Sequence, residues 1–379
     1  MKRVLILGGG FGGLAAAHSL RQSLAAEDEI ILIDQRAQFM VGFRKSWALV
    51  GESTLEAGQR SLADLNQQGI KVIQGAITKL DPVARSVEVN DQRLEADAIV
   101  VALGARRAPE KVPGLQAYGY NVYEAAEVPR AAQALRDFKG GRVVIGIFGI
   151  PYPCPPAPYE MAILINSLLP QRGISATVEV FSPQPLSIPI LGEVRCSDFE
   201  SQLAEKGIAF LPNHKATAVE AGEVVFANGR RPFDLLLTVP PHQCPPVIVD
   251  SGLAASGEWI KVNPRTMETQ FEGVYAAGDC VEIMMATNKP LPKAGVFAEA
   301  MGRTAAQRIA AAFAGNPPDA QFAGEGGCFL EVGNGEAMMV KGSFLAQPAP
   351  DVILTEASSR YLDQKRNFEA ELLKRWFTA

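Results

Sequence analysis

Residues 3–34 read RVLILGGGFGGLAAAHSLRQSLAAEDEIILID. The stretch Arg3 to Leu7 is almost entirely apolar, which predicts a buried parallel strand. A glycine turn follows at once, and Leu14 to Leu24 has the apolar spacing of a helix. A second apolar strand, Glu29 to Ile33, ends at the acid Asp34. This order of strand, glycine turn, helix and strand predicts the first unit of a Rossmann-like α/β domain.

The glycine turn, GGGFGG at residues 8–13, has the spacing that a dinucleotide site requires. Gly8 permits the tight turn, Gly10 lets a pyrophosphate approach the backbone, and Gly13 lets the helix pack against the strand. The phosphates would meet free N–H groups at a helix N-terminus. Asp34, 21 residues beyond Gly13, is placed to accept hydrogen bonds from a ribose diol. The predicted contact residues are Gly8, Gly10, Phe11, Gly12, Gly13 and Asp34.

Composition narrows the class of protein. The 379 residues are 47% hydrophobic and 20% charged, which excludes a disordered chain and suggests two to three domains. A net charge of −5, without long runs of Lys and Arg, argues against a nucleic-acid partner. The five cysteines show no CxxC spacing, so we expect no metal. Without a leader or an apolar run of membrane-spanning length, we expect a soluble cytoplasmic protein and leave peripheral membrane contact open.

Two distant segments extend the pattern. Asp97 to Leu103 is an apolar strand ending in ALGA, and residues 273–280, GVYAAGDC, form another short strand ahead of a helix that begins near Gly295. Together with the glycine turn, they resemble the two-dinucleotide-binding-domain flavoproteins, which include disulfide reductases and type 2 NADH dehydrogenases. The resemblance runs over almost the whole chain and implies bound FAD, with Asp279 holding the ribityl chain. Further FAD contacts are implied for Ala102, Gly104, Gly278 and Lys293.

The second Rossmann-like unit of such proteins normally binds NAD(P)H. Here its first strand begins at Gly141, but IPYPCPP, residues 150–156, follows it and supplies no third glycine. Four prolines in that turn remove N–H donors that an anion site would use. The second strand, Thr177 to Phe181, ends at Ser182 rather than at an acid. Both NADH determinants are therefore missing, although a divergent loop that still admits NADH remains an alternative.

A thiol stands where the nucleotide loop would be. Cys154 lies just before a predicted helix, Ala157 to Leu169, and a helix N-terminus favours the thiolate form of cysteine. Beside a flavin, a thiolate can add to the isoalloxazine, or it can form half of a disulfide that a soft nucleophile opens.

The string PYPCPPAPYE around Cys154 carries a narrower resemblance. It is similar to the active-site segment of the flavoprotein subunit of flavocytochrome c sulfide dehydrogenase and, less closely, to that of sulfide:quinone oxidoreductases. The resemblance implies a redox pair with Cys328, which lies in GGCFLEVG near the C-terminus. It also implies that hydrosulfide opens the Cys154–Cys328 disulfide, leaving a persulfide on one cysteine while the other thiolate reduces FAD. The alternative is two buried, unreactive thiols.

The same resemblance implies that two charged residues belong to this site. Glu160, six residues after Cys154, would manage a proton on sulfide or cysteine, or else is a capping or solvated residue. Lys293, in a Pro-Lys-x-Gly segment, would stabilise negative charge on reduced flavin, or else is a surface lysine. Because the chain has no cysteine before Cys154, FAD attached through a first-domain thioether is excluded and we expect noncovalent FAD.

The segment Tyr361 to Phe377 predicts a basic amphipathic helix. Its apolar residues are Phe368, Leu372, Leu373, Trp376 and Phe377, and its basic residues, placed among the others, are Lys365, Arg366, Lys374 and Arg375. Such a face either lies on an anionic membrane surface, with quinone as the electron acceptor, or covers the chain itself or a homodimer partner. In the second case a c-type cytochrome or another soluble carrier becomes the expected acceptor.

The sequence therefore predicts an α/β flavoprotein with two Rossmann-like domains. We expect an FAD-binding domain in two segments, 1–107 and 241–315, interrupted by a second domain, 108–240, that carries Cys154. Residues 316–379 form a C-terminal interface module with Cys328. The predicted activity is FAD-dependent oxidation of sulfide or a related small sulfur species, with electrons passed to a quinone or cytochrome. A type 2 NADH:quinone oxidoreductase and a flavin-containing redox sensor or interaction protein are the alternatives.

Overall fold

The computed structural model describes residues 1–378. Its strands are β1 (Arg3–Leu7), β2 (Glu29–Asp34), β3 (Gln38–Phe39), β4 (Arg60–Ser61), β5 (Lys71–Gln74), β6 (Ile77–Asp81), β7 (Ser86–Val89), β8 (Gln92–Glu95), β9 (Ala98–Val101), β10 (Arg106–Arg107), β11 (Tyr120–Asn121), β12 (Gly141–Ile147), β13 (Ala176–Phe181), β14 (Ile208–Leu211), β15 (Ala216–Glu220), β16 (Glu223–Phe226), β17 (Gly229–Pro232), β18 (Leu235–Val239), β19 (His242–Gln243), β20 (Ile260–Lys261), β21 (Val274–Ala276), β22 (Val281–Glu282), β23 (Glu325–Gly333), β24 (Glu336–Ser343) and β25 (Asp351–Leu354).

The helices alternate with these strands, as expected for an α/β protein. They are α1 (Phe11–Ser23), α2 (Arg44–Val50), α3 (Leu115–Tyr118), α4 (Val128–Asp137), α5 (Ala157–Gln171), α6 (Gly192–Glu205), α7 (Pro246–Asp250), α8 (Gly295–Phe313) and α9 (Ser359–Phe377). No helix within residues 1–378 has both the length and the apolar character needed to cross a membrane.

The first parallel sheet has the strand order β21-β9-β1-β2-β5. Its central strand β1 is fully buried from Val4 to Leu7, because helices cover the sheet and each strand must bury both of its faces. Leu5 pairs with Ile31 on one side and with Ile99 on the other. The sheet thus joins the N-terminal segment to β21, which begins more than 170 residues beyond the end of β9.

The second parallel sheet has the order β11-β18-β12-β13-β14. Its central strand β12 pairs Ile145 with Val180 of β13 and with Leu237 of β18. All of its strands lie between Tyr120 and Val239, inside the interval that separates β9 from β21. The strands of each parallel sheet fall within the segments predicted for one domain. We therefore propose the same four-segment domain division.

The C-terminal part combines an antiparallel sheet with a long helix. Strands β23, β24 and β25 form the sheet in that order, and β23 packs on α5 while α9 packs on β24. Near the end of α9, Trp376 contacts the rings of Phe11 and Phe39, with centroid separations of 5.7 and 5.4 Å. Leu372, Leu373 and Trp376 are buried, so this chain itself covers most of the apolar face that we considered for membrane contact.

One prediction about α9 is wrong. Lys365 belongs to the basic set of the amphipathic pattern, yet its side chain has no exposed surface. Its ammonium lies between the carboxylates of Glu160 and Glu331, at 2.9 and 3.0 Å. Burial of the charge is possible because two carboxylates replace the lost water, and periodicity within one helix cannot reveal partners on other elements.

Candidate functional site

The glycine turn after β1 is fixed by close backbone approaches. Gly8 has φ +108°, and a Cβ there would overlap the carbonyl of Ala102 at the end of β9. A Cβ on Gly13 would overlap the carbonyl oxygen of Gly8, and one on Gly302 of α8 would overlap that of Gly12. The turn is therefore held tightly between β9, β1 and the helix pair α1 and α8.

Gly10 differs from these glycines. It is the N-cap of α1, no side chain of the described chain caps this helix end, and a Cβ built on Gly10 would have nothing within 4 Å. Uncapped N–H groups facing open space fit a pyrophosphate. Nearby, the Asp34 carboxylate accepts hydrogen bonds from Gly9 N at 2.6 Å and from Arg36 N at 2.7 Å. Burial opposes ionisation of Asp34, but Arg36 outweighs it and lowers the carboxyl pKa, which keeps a charged acceptor for a ribose.

Gly10→Ala tests whether the N-terminus of α1 binds the pyrophosphate. The added methyl meets no protein atom, and Gly10 has φ −87°, so the apo-protein should keep its melting temperature. The methyl would instead occupy the path of the pyrophosphate, and we expect FAD affinity to fall by about tenfold or more. Flavin content after gel filtration and FAD titration of the apo-protein measure the effect. Gly302→Ala is the contrasting variant, since its methyl meets backbone and should destabilise the fold itself.

Asp279 and Lys293 lie together where β21 ends. Lys293 is 7% exposed, so it is not a surface lysine, and its Nζ donates to the backbone carbonyls of Asp279 at 2.6 Å and Val281 at 3.2 Å. The ammonium also lies 3.6 Å from the ring centroid of Trp259. Burial lowers the pKa of Lys293 and raises the pKa of Asp279. A small cavity adjoins them, and its mostly apolar lining includes Leu291, Phe297 and Met301.

Cys154 is held in a conformation that cysteine rarely adopts. It lies between β12 and α5 with φ +53°, in the left-handed region. Its N–H donates to the carbonyl of Lys293 at 2.8 Å, and its own carbonyl accepts from Ala157 N at 3.0 Å and from the Tyr123 hydroxyl at 3.3 Å. These bonds connect the cysteine loop directly to the Lys293 segment.

The two predicted redox cysteines lie side by side. Cys328 is on β23, opposite Val340 of β24, and β23 packs on α5, the helix that Cys154 precedes. Both are half-buried free thiols, close enough for one to hydrogen-bond the other. The hydrogen bond from Cys328 lowers the pKa of Cys154, and the same contact raises the pKa of Cys328. A single negative charge on the reduced pair is therefore favoured on Cys154, with the proton on Cys328.

A buried charge cluster lies beneath this pair. Glu160, in the first turn of α5, is 2% exposed, so it is neither a solvated residue nor a helix cap. One carboxylate oxygen accepts from Glu331 N at 2.9 Å, and the other lies 2.9 Å from Lys365 Nζ. Glu331 also accepts from the Trp47 indole at 2.9 Å. Burial alone would lower the pKa of Lys365, but the two carboxylates outweigh it and raise that pKa.

The site also contains residues that the sequence did not indicate. They are Lys45, Trp47, Tyr123, Glu331 and Lys365. Each is remote in sequence from Cys154, and no spacing pattern connects any of them with that cysteine. The residues of the described chain include no group of three or more His, Cys, Asp and Glu side chains placed to hold a metal ion.

Comparison with known proteins adds to this geometry. Residues 2–150 match the family model described as pyridine nucleotide-disulphide oxidoreductase. Mitochondrial sulfide:quinone oxidoreductase from Mus musculus is 23% identical over 364 residues, covering 91% of this chain and 79% of the relative. Sulfide-quinone reductase from Aquifex aeolicus is 25% identical over 350 residues, covering 83% and 78%.

A solved structure gives the fold of the whole chain. The sulfide:quinone oxidoreductase of Aquifex aeolicus superposes with a TM-score of 0.90 at 23% identity, covering 100% of this chain and 92% of that one. The predicted α/β fold with Rossmann-like cores is therefore confirmed. The matched family and relatives are FAD-binding flavoproteins, which confirms FAD as the cofactor. The glycine turn, Asp34 and Asp279 are the residues that we expect to hold it.

Proposed function

We propose that this chain, an FAD-dependent oxidoreductase similar in sequence to the sulfide:quinone oxidoreductases, oxidises sulfide or a related small sulfur species through the Cys154–Cys328 pair. The observation that carries the proposal is the contact between the two thiols at the end of β12. In a second Rossmann-like unit a nicotinamide cofactor would bind at that position, but here the loop carries four prolines and Cys154.

The sulfur chemistry follows from the asymmetry of the pair. When the two cysteines are oxidised to a disulfide, hydrosulfide forms a new S–S bond to one of them and the Cys–Cys bond breaks. The other cysteine leaves as a thiolate, and the nearby ammonium of Lys365 favours that charge on Cys154. FAD, when bound, supplies the acceptor for the two electrons that the sulfur atoms lose.

The buried charges near the cysteine pair act on it in opposite directions. Glu160 opposes the negative charge on both cysteines, whereas Lys365 favours the Cys154 thiolate. Since Glu160 and Lys365 are ion-paired, their effects on Cys154 partly cancel, and the pair fixes α9 against α5 beneath the reacting sulfur atoms. We propose that Glu160 exchanges the proton that Cys328 gains or loses, and that Lys293 stabilises charge on reduced FAD.

We propose quinone as the electron acceptor, following the names of the relatives. Quinones reside in the bilayer, so this acceptor requires peripheral contact with a membrane, and we propose a cytoplasmic location. The surface that makes this contact is not the apolar face of α9, most of which is already buried. A c-type cytochrome acceptor and a homodimer form the alternative arrangement.

An anaerobic titration of the holoenzyme tests the proposed function. Sulfide added in stoichiometric amounts should bleach the flavin absorption within seconds, while NADH should leave it unchanged over minutes. Bleaching by NADH would instead indicate a type 2 NADH:quinone oxidoreductase. Absence of bleaching by either compound would indicate a sensor or interaction protein in which FAD is structural.

A further inference from the structure

Lys45 is an unassigned cation next to the cysteine pair. It lies on α2, and its Nζ donates to the backbone carbonyl of Tyr123 at 3.2 Å. The same ammonium lies 5.5 Å from the centroid of the Tyr123 ring. One neighbouring residue therefore fixes the position of the lysine through both a hydrogen bond and a cation–π contact.

Tyr123 also holds the cysteine. This tyrosine is 6% exposed, and its hydroxyl donates to the Cys154 carbonyl at 3.3 Å. Its ring makes edge contacts with Tyr152 at 6.2 Å and with His242 at 5.7 Å, so it has little freedom to move. Lys45, Tyr123 and Cys154 thus form one continuous chain of contacts from α2 to the loop before α5.

Charged and titratable groups surround both Cys154 and Lys45. Cys154 faces the Cys328 thiol, the Glu160 carboxylate and the cations Lys365 and Lys45. The groups that face Lys45, besides Cys154, are Arg36, Arg107, Glu124, His242 and Asp279. Burial is the main cause that lowers the pKa of Lys45, to about 8, so the ammonium is still mostly charged at neutral pH. Because Lys365 is already neutralised by Glu160 and Glu331, Lys45 is the cation whose charge is less fully compensated near the thiol.

From this geometry we infer that Lys45 is a positioning residue for the reaction, a cation that Tyr123 holds beside Cys154 to keep that thiol in its reactive thiolate form. The inference deepens the proposed function, since it assumes that Cys154 is the redox thiol, but it concerns the ionisation of that thiol and not the identity of the sulfur substrate. Lys45 would act on Cys154 through its charge, without contact with the reacting bond.

The test measures how fast Cys154 reacts with iodoacetamide as a function of pH. The holoenzyme carries Cys328→Ser, is reduced under anaerobic conditions, and is analysed by peptide mass spectrometry so that only Cys154 is scored. Lys45→Met should move the midpoint of the pH profile upward by about one unit and slow alkylation at pH 7 by roughly tenfold. Lys45→Arg keeps the charge and should restore most of the rate.

Two further variants keep the inference testable if Lys45→Met folds poorly. Glu124→Gln removes a carboxylate that raises the pKa of Lys45, so the ammonium loses its proton at lower pH and the midpoint should move upward, in the same direction as in Lys45→Met. Lys79→Met removes an exposed cation on β6 and should leave the midpoint unchanged. An unshifted profile in Lys45→Met with normal FAD content, or equal shifts in the Lys45 and Lys79 variants, would overturn the inference. Because no sulfide is used, failure of the proposed function would appear separately, as an unbleached flavin in the sulfide titration.

Discussion

Cys154→Ser and Cys328→Ser are each expected to abolish sulfide-driven flavin reduction. The loss should be at least on the order of a thousandfold, because each sulfur atom is one half of the bond that hydrosulfide must open. FAD content should stay at the level of the unchanged protein, since the glycine turn and Asp34 lie on other elements. Stopped-flow absorption at the flavin maximum gives the rate, and the flavin-to-protein ratio gives the content.

A third thiol serves as the matched control. Cys196 is fully buried on α6, and its Sγ donates to the carbonyl of Ile188 at 3.1 Å. Burial is the main cause that raises its pKa, so it is a poor nucleophile. Cys196→Ser should reduce flavin at the normal rate. If both Cys154→Ser and Cys328→Ser also kept that rate, the cysteine mechanism would be rejected.

The N-terminal half of the fold could be predicted from local sequence. The glycine spacing that predicted the turn lies within one βαβ unit, although Gly8 and Gly12 also approach β9 and α8, and α1 begins at Phe11, inside the turn. The strand β21 could be placed in the same sheet only through the AAGD motif, because its sequence distance from β9 carries no information on pairing. The bounds of the elements that were predicted are accurate to within a few residues, whereas other elements, such as β15 to β17, α6 and β25, were not predicted.

The candidate site was less accessible to sequence reasoning. The sequence pattern around Cys154 indicated a reactive thiol, but the partner Cys328 came from family resemblance, since 174 residues separate the two. Lys45 and Tyr123 interact through a backbone carbonyl, which any residue type can provide. Lys365 follows a helical periodicity that is typical of an exposed cation, and only the carboxylates of two other elements make its burial favourable.

Lys365→Met is expected to destabilise the protein strongly. The change leaves Glu160 and Glu331 buried together without a cation, at a cost of about 3–5 kcal/mol in the free energy of unfolding. For a chain of this size, that should lower the melting temperature by roughly 10 °C, measured by calorimetry of the holoenzyme. Lys374→Met, on the exposed face of the same helix, is the control and should change the melting temperature by little.

The pH dependence of the stability lost in Lys365→Met shows whether an uncompensated charge or lost packing causes the loss. In the unchanged protein the folded pKa of Lys365 is raised, so its contribution is complete below the unfolded value of 10.5 and is lost only as pH rises through the folded value. In Lys365→Met the unpaired carboxylates acquire raised pKa values, and their protonation stabilises the folded state as pH falls. The difference in melting temperature should therefore shrink between pH 8 and about pH 5. A difference that stays constant over this range would show that lost packing, and not an uncompensated charge, causes the instability.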